Sequence, residues 1–295
     1  MKSAVAAIGT FDGVHKGHRT VLHTVATIAK ERGMNPVAFT FDRHPLATID
    51  PSRTPAALTP LSKKKKLLTE AGVAPMVLKF DESLRATTAN SWMQRLHDEF
   101  DVRVLVIGYD NTFGSDGINL SLDDYKKLGN RIGIEVLTAD EIRGVSSSAI
   151  RKAVIAGDVG AARDMLGRPY SITAKVVKGN QLGHTLGFPT ANIDLPEGIA
   201  IPKPGVYAAI VKTLDDGVKH PAMVNIGSRP TLMRGDNMVI ESHLIDWTGN
   251  LYDKEITVRF ISRIRDELKF DSIDALRAQL ATDRIRVKEI LTDIN

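Results

Sequence analysis

The chain of 295 residues contains no cysteine. Disulfides, thiol nucleophiles and Cys-ligated zinc or iron–sulfur centres are therefore excluded. No apolar run approaches the ~20 residues that a bilayer-spanning helix needs. The opening residues, Met1–Phe11, lack the long apolar core of a secretory signal. Charge of one sign is also missing: 39 Lys and Arg stand against 35 Asp and Glu, a formal net charge of +4. Residues 1–168 hold 23 basic and 19 acidic residues, and residues 169–295 hold 16 of each. That balance argues against a protein that tracks a nucleic-acid backbone, yet it leaves room for a local anion site. Repeats and low-complexity tracts are absent too. The expectation is a cytoplasmic, soluble enzyme or binding protein with neither a membrane nor a nucleic-acid partner; nothing in the sequence fixes an oligomeric state.

What is present is ordinary in bulk: 43% hydrophobic and 25% charged residues, as in soluble globular chains. At ~150 residues per domain the length suggests about two domains. Strand-like and helix-like segments alternate first. Ala4–Ile8 reads as a buried strand, residues 10–18 as a loop, and Arg19–Arg32 as a helix closed by Gly33. Further strands are expected at Pro36–Phe41, Met76–Phe80, Val102–Ile107 and Glu135–Leu137. Helices are expected near Ser62–Ala71, Asn90–Glu99, Leu122–Ile132, Ser147–Ala156 and Val159–Met165. Such alternation implies a parallel sheet covered on both faces. From Tyr170 to about Ile261 the segments become short, rich in Val, Ile and Thr, and punctuated by Gly and Pro, the pattern of a small antiparallel barrel. A helix over about Ser272–Leu291 ends the chain. The domain boundary is expected near residue 168.

Between the first strand and the first helix lies Thr10-Phe11-Asp12-Gly13-Val14-His15-Lys16-Gly17-His18. Ligands of open parallel sheets bind beyond the carboxyl ends of the strands. A helix amino end offers free N–H groups and partial positive charge, both suited to phosphate. Gly13 and Gly17 let the backbone approach closely, and His15 and His18 add ring donors that could neutralise charge growing on a phosphoryl oxygen. Two histidines three apart also suit capping or surface roles, or a metal pair with no obvious third ligand. Walker, dinucleotide-binding and zincin signatures are all absent.

In its longer form, Gly9–His18, the segment resembles the H-x-G-H signature of nucleotidyltransferases, and within them the prokaryotic bifunctional riboflavin kinase/FAD synthetase family. Ser146-Ser147-Ser148-Ala149-Ile150-Arg151 stands where that family has a second nucleotide signature, with Ser148 in place of the usual Thr. Hydroxyls at a helix start with an Arg one turn in suit polyphosphate; they also suit a plain helix cap. Gly108–Gly114 resembles the family's flavin-associated stretch, keeping Asp110, Phe113 and Gly114 but with Asn111 in place of an aromatic residue. Further on, Leu186–Ile193 matches L-G-F-P-T-A-N-I, Asn225–Thr231 matches N-I-G-x-R-P-T, and Glu241–Trp247 resembles E-x-H-x-x-D-F. Arg265–Phe270 follows the next family segment. Ahead of Leu186 the usual basic glycine-rich run has lost its arginines: Leu182 and His184 stand there instead, which implies weakened ATP binding that His184→Arg would restore.

The resemblance runs from Ala7 to about Asp283. It implies a Rossmann-like α/β nucleotidyltransferase domain over 1–168, the FMN adenylyltransferase (FAD synthetase), followed by a small antiparallel β-barrel riboflavin kinase domain with a C-terminal helix over 169–295. It implies ATP-dependent phosphorylation of riboflavin to FMN, then adenylylation of FMN to FAD with release of pyrophosphate. ATP-binding residues would be Gly9, Phe11, Asp12, Gly17, Ser147, Ser148, Arg151, Thr190 and Asn192. His15 and His18 would stabilise the transition state of adenylyl transfer, and Glu241 would be the base of the kinase step. Asp110, Arg229, Trp247, Arg265 and Phe270 would contact flavin, and Thr190 and Asn192 would hold Mg²⁺. Taken as single residues, Glu241 also suits a surface strand position and Trp247 and Phe270 a core. Two other readings stay open: a single-activity enzyme with one domain silenced, and a non-catalytic flavin-binding regulator. The one strong charge run, Lys63–Lys66, reads as a solvated helix face.

Overall fold

The computed structural model describes residues 2–109, 112–179, 187–215, 217–229 and 237–292, with the side chains of 228, 229 and 237 left outside that description. The chain forms two compact units, Met1–Ala149 and Ile150–Asn295.

In the first unit, β1 (Ala4–Ile8), β2 (Asn35–Phe41), β3 (Ala74–Leu78), β4 (Val102–Ile107) and β5 (Glu135–Thr138) form a parallel sheet in the order β3-β2-β1-β4-β5. β1 is buried throughout because both faces are covered, and its side chains alternate between two cores. Ala4, Ala6 and Ile8 meet Trp92, Met93 and Leu96 on one side. Val5 and Ala7 meet Leu22 and Val25 on the other. The strand order reverses between β1 and β4, where α/β sheets open their ligand crevice.

The helices are α1 (Lys16–Arg32), α2 (Leu46–Ile49), α3 (Leu61–Glu70), α4 (Glu82–Ala86), α5 (Ala89–Phe100) and α6 (Leu122–Ile132); α7 (Ser147–Ala156) starts in this unit and runs on into the second, which also holds α8 (Val159–Leu166). α1 starts three residues earlier than its apolar spacing implies, because the His15 ring caps it: Nδ1 accepts the N–H of His18 at 3.3 Å. Gly33, left-handed at φ 66°, closes it as expected. The short α2 and α4 carry too few apolar positions to show a period. Asp81 caps α4 by accepting the Leu84 N–H at 3.1 Å.

One expectation is overturned here. The Lys63–Lys66 run is not a uniform solvated face. Lys64 is buried with Leu67 and Leu68 along the inward stripe of α3, while Lys65 and Lys66 are exposed. The i, i+3, i+4 geometry of a helix sets this pattern, and four consecutive lysines conceal it.

The second unit is a closed barrel in the order β10-β7-β6-β11-β8-β9. Its strands are β6 (Ser171–Val177), β7 (Ala191–Ile193), β8 (Gly205–Thr213), β9 (Lys219–Arg229), β10 (Asn237–Leu244) and β11 (Glu255–Arg265). All six pairings are antiparallel. The final helix, α9 (Ile273–Thr292), buries Val287 and Leu291 in a cluster with Phe188, Val206, Ala208 and Met223. The parallel α/β sheet, antiparallel barrel and closing helix match the fold expected from the sequence.

Candidate active sites

The first candidate site is the loop leaving β1. Phe11 and Val14 hold left-handed backbone conformations, at φ 47° and 40°, either side of Gly13 at φ 85°. Non-glycine residues adopt that region at a cost of ~1–3 kcal/mol each, so surrounding contacts must hold them there. Those contacts are present. The buried Asp12 carboxylate accepts N–H groups from Leu58 at 3.0 Å and Thr59 at 3.1 Å. Val14 N–H donates to the Phe11 carbonyl at 3.1 Å. Gly9 N–H donates to the Phe39 carbonyl at 3.0 Å, and a β-carbon on Gly9 would rest against the Phe11 ring at 3.5 Å.

The loop delivers His15 and His18 as a stacked pair with ring centroids 3.6 Å apart, and Phe11 meets His18 edge-on at 5.2 Å. His15 is buried and His18 half-buried. A β-carbon on Gly17 would come within 3.3 Å of the His15 ring, so the small residue lets the helix's first turn pass the imidazole. This geometry accounts for the capping role of His15 and leaves the pair at the amino end of α1.

The second nucleotide signature meets this loop. Ser147 Oγ donates to the Asp12 carbonyl at 2.8 Å. Ser146 Oγ accepts the Ala149 N–H at 3.1 Å and caps α7, while Ser148 is exposed. Arg151 is half-buried one turn further along α7. Asp110 and Asn111 lie outside the described residues; Phe113 is buried and its N–H donates to Tyr125 Oη at 2.9 Å.

The second candidate site is the end of β7. Thr190 immediately precedes the strand, and Asn192 stands within it, buried against Gly179, where a β-carbon would come within 2.0 Å of the amide. Glu241 pairs across the ladder with Asn192 on β7 and with Asn225 on β9. Directly paired residues share a face, so two amides flank the half-buried carboxylate. The placement of Asn225 opposite Glu241 was not legible in the sequence, because its motif carried no strand register. His243 lies two residues on, buried, and its Nδ1–H donates to the Pro189 carbonyl at 2.9 Å. Burial pushes the His243 imidazole below its ordinary value, with nearby Arg284 acting the same way against the Pro189 hydrogen bond and Asp246.

The other face of β10 lines a cavity of about 210 Å³. Thr190, Ala191, Ser242, Leu244 and Trp247 border it. Ser242 is fully buried and its hydroxyl has no hydrogen-bond partner among the described residues. Trp247 is half-buried, so it is a cavity wall rather than closed core.

Arg265 grips Asp283 on α9 with Nε at 3.0 Å and Nη2 at 2.7 Å from the same carboxylate oxygen. Its guanidinium lies 6.0 Å from the centre of the half-buried Phe270 ring. The side chain of Arg229, and residues Leu182 and His184, lie outside the described residues.

Among the described residues no group of three or more His, Asp or Glu side chains is arranged to hold an ion. Thr190 and Asn192 offer neutral oxygens, a donor set that fits Mg²⁺ arriving with phosphate oxygens of its own. No helix among the described residues is long and apolar enough to cross a membrane.

Comparison with known proteins matches each unit separately. The FAD synthetase family model matches residues 1–151, and the riboflavin kinase family model matches residues 166–291. The chain is similar to the bifunctional riboflavin kinase/FMN adenylyltransferase of Escherichia coli K12, at 35% identity over 98% of this chain and 93% of that one. The enzyme of the same description from Bacillus subtilis 168 is 34% identical over 95% of this chain and 90% of its own. A crystal structure described as a macrolide-efflux protein from Streptococcus pneumoniae superposes with a TM-score of 0.88 at 29% identity, covering 98% of this chain and 95% of that one.

Proposed function

The chain belongs to the bifunctional riboflavin kinase/FMN adenylyltransferase family and holds both of its enzyme domains, and from that premise we propose how its residues divide the two reactions. The observation that carries the proposal is that each family match encloses its own constellation: the stacked His15 and His18 on the loop whose Asp12 carbonyl Ser147 bonds in one, Glu241 between Asn192 and Asn225 in the other.

In the adenylyl transfer, a phosphate oxygen of FMN attacks the α-phosphorus of ATP; the new P–O bond forms as the bond to the β-phosphate oxygen breaks and pyrophosphate leaves. His15 and His18 hydrogen-bond the oxygens on which charge accumulates. Ser147, Ser148 and Arg151 bind the departing pyrophosphate, while Gly9, Phe11, Asp12 and Gly17 shape the ATP cradle at the amino end of α1. Asp110 contributes to the flavin side. In the kinase step, Glu241 takes the proton of the ribityl 5′-hydroxyl as that oxygen attacks the γ-phosphorus and ADP leaves. Asn192 and Asn225 orient the carboxylate. Mg²⁺, held with ATP by Thr190 and Asn192, supplies charge neutralisation for the phosphates.

Trp247, three residues beyond β10, shares its cavity with Thr190 and with Ser242 and Leu244, the β10 residues that alternate with Glu241. We therefore assign the ring in that cavity to the base of ATP, with the buried Ser242 hydroxyl as its polar contact, and assign the flavin to the Glu241 face with Arg229 and Phe270. Arg265 serves that face indirectly, by fixing α9. The functional boundary is kept at residue 168, which is supported by the start of the kinase match at 166. The substrates are riboflavin, FMN and ATP, without nucleic acid, in the cytoplasm.

The test is a flavin-product assay with riboflavin, ATP and Mg²⁺. The parent chain is expected to give FMN and then FAD. His18→Ala should accumulate FMN without FAD; Glu241→Ala should leave riboflavin untouched yet convert added FMN to FAD. FMN alone from the parent chain would overturn the adenylyl-transfer assignment, and flavin binding without ATP use would make the protein a regulator. Trp247→Ala should raise KM for ATP in the kinase step; a rise confined to KM for riboflavin would return that ring to the flavin.

A further inference from the structure

The lysine run absorbed by neither reaction has one member inside the first unit. Lys64 Nζ donates to the carbonyl of Thr10 at 3.0 Å and to that of Phe41 at 3.0 Å. Phe41 is the last residue of β2, and Thr10 is the second residue beyond β1. The two strands pair as far as Ile8 with Phe39. The ammonium thus sits where the β1–β2 ladder runs out and joins the two carbonyls found there. Thr40 Oγ1 donates to the same Thr10 carbonyl at 3.1 Å. Thr10 is followed directly by Phe11, the first residue of the left-handed loop, so these bonds set the direction in which the chain enters it. Asp12 anchors the loop from the other side through Leu58 and Thr59, and Ser147 through the Asp12 carbonyl. Strained backbone persists only where its surroundings over-determine it, and Lys64 bonds to the chain just beyond β1 and to the last residue of β2 at once.

We propose that Lys64 is a positioning residue for adenylyl transfer: by joining the carbonyls of Thr10 and Phe41 it fixes the entry to the loop and so the placement of the His15–His18 pair. It touches no substrate and acts through the loop. The proposal rests on adenylyl transfer occurring at His15 and His18.

The experiment measures FAD formation from FMN and FMN formation from riboflavin on the same full-length variants. Lys64→Met keeps the packed stem and removes the donors. It is expected to lower kcat for FAD formation at least tenfold, with KM for ATP within threefold of the parent and the kinase step unchanged. Lys64→Arg restores two donors and is expected to recover kcat to within threefold. The exposed neighbours Lys65→Met and Lys66→Met should leave both activities unchanged. A Lys64→Met enzyme with kcat within twofold of the parent overturns the proposal, as does equal loss in the Lys65 or Lys66 variants or a matching loss of kinase activity. Should Lys64→Met leave the first unit unfolded by circular dichroism, Lys64→Gln carries the test: too short to reach both carbonyls, it should lose at least threefold in kcat, and parent-like turnover overturns the proposal. His18→Ala is assayed alongside; if it still makes FAD at the parent rate, the site assignment fails, whatever Lys64 does.

Discussion

Ser147 Oγ donates a hydrogen bond of 2.8 Å to the carbonyl of Asp12, 135 residues earlier in the chain. One contact therefore joins the loop leaving β1 to the start of α7, and Asp12 is its hub. The Asp12 carboxylate accepts the buried N–H groups of Leu58 and Thr59. Asp12→Ala would leave both without an acceptor. A buried donor left unsatisfied costs about 1–3 kcal/mol, so with two such donors urea unfolding followed in the first unit should show a loss of roughly 2–6 kcal/mol. FAD formation should fall with it, while the kinase step is retained. A variant as stable as the parent would show that the carboxylate does not hold the loop.

Gly17 sits where α1 passes His15. A β-carbon there would stand 3.3 Å from the His15 ring, closer than relaxed packing allows. Gly17→Ala should therefore displace the imidazole by a few tenths of an ångström. Misplacing catalytic groups by ~1 Å costs about a hundredfold in rate, so a smaller shift should lower kcat for FAD formation about five- to tenfold. Alanine favours the helix over glycine by up to ~1 kcal/mol, so the melting temperature should hold or rise. Loss of activity without loss of stability is the expected signature; steady-state kinetics beside a melting curve reads both.

Much of this was legible from sequence. The run Val102–Ile107 appears as the strand expected of it, and α6 and α7 keep their expected limits, because buried strands and amphipathic helices write their period into local sequence. The His15–His18 loop was legible from its place after a first strand. Three things were not. Lys64 was hidden among identical neighbours, and only its position on the helix selects it for burial. Asn225 acquires meaning only from the register that sets it opposite Glu241. Arg265, expected at flavin, finds a carboxylate eighteen residues ahead on a helix whose docking no local pattern specifies.

His243 gives the second unit a pH dependence. Burial holds its imidazole below the ordinary value of 6.5, with Arg284 pushing the same way and Asp246 and the Pro189 hydrogen bond pushing back. The unfolded chain therefore binds the proton more readily than the folded one. Stability is full above about 6.5 and falls as pH drops through that value toward the lower folded pKa. The second unit's melting temperature should fall between pH 7 and pH 5. In His243→Gln, whose amide can donate to the same carbonyl, the curve should be flatter over that range; an unchanged slope would assign the acid sensitivity to other groups.

The Arg265–Asp283 pair ties the end of β11 to α9. Asp283 is almost wholly enclosed, at 2% side-chain exposure, and Gln279 donates to its other oxygen at 2.8 Å. Arg265→Met would strand a buried carboxylate. Removing one partner of such a pair costs about 3–5 kcal/mol, whereas replacing both by apolar residues is often neutral. Chemical denaturation should show Arg265→Met losing roughly that amount, and the double variant Arg265→Met/Asp283→Leu recovering most of it. Kinase activity separates the tether from a flavin contact. If Arg265 acts only by fixing α9, the double variant regains kinase turnover together with stability. If the guanidinium contacts flavin directly, stability returns while KM for riboflavin stays raised.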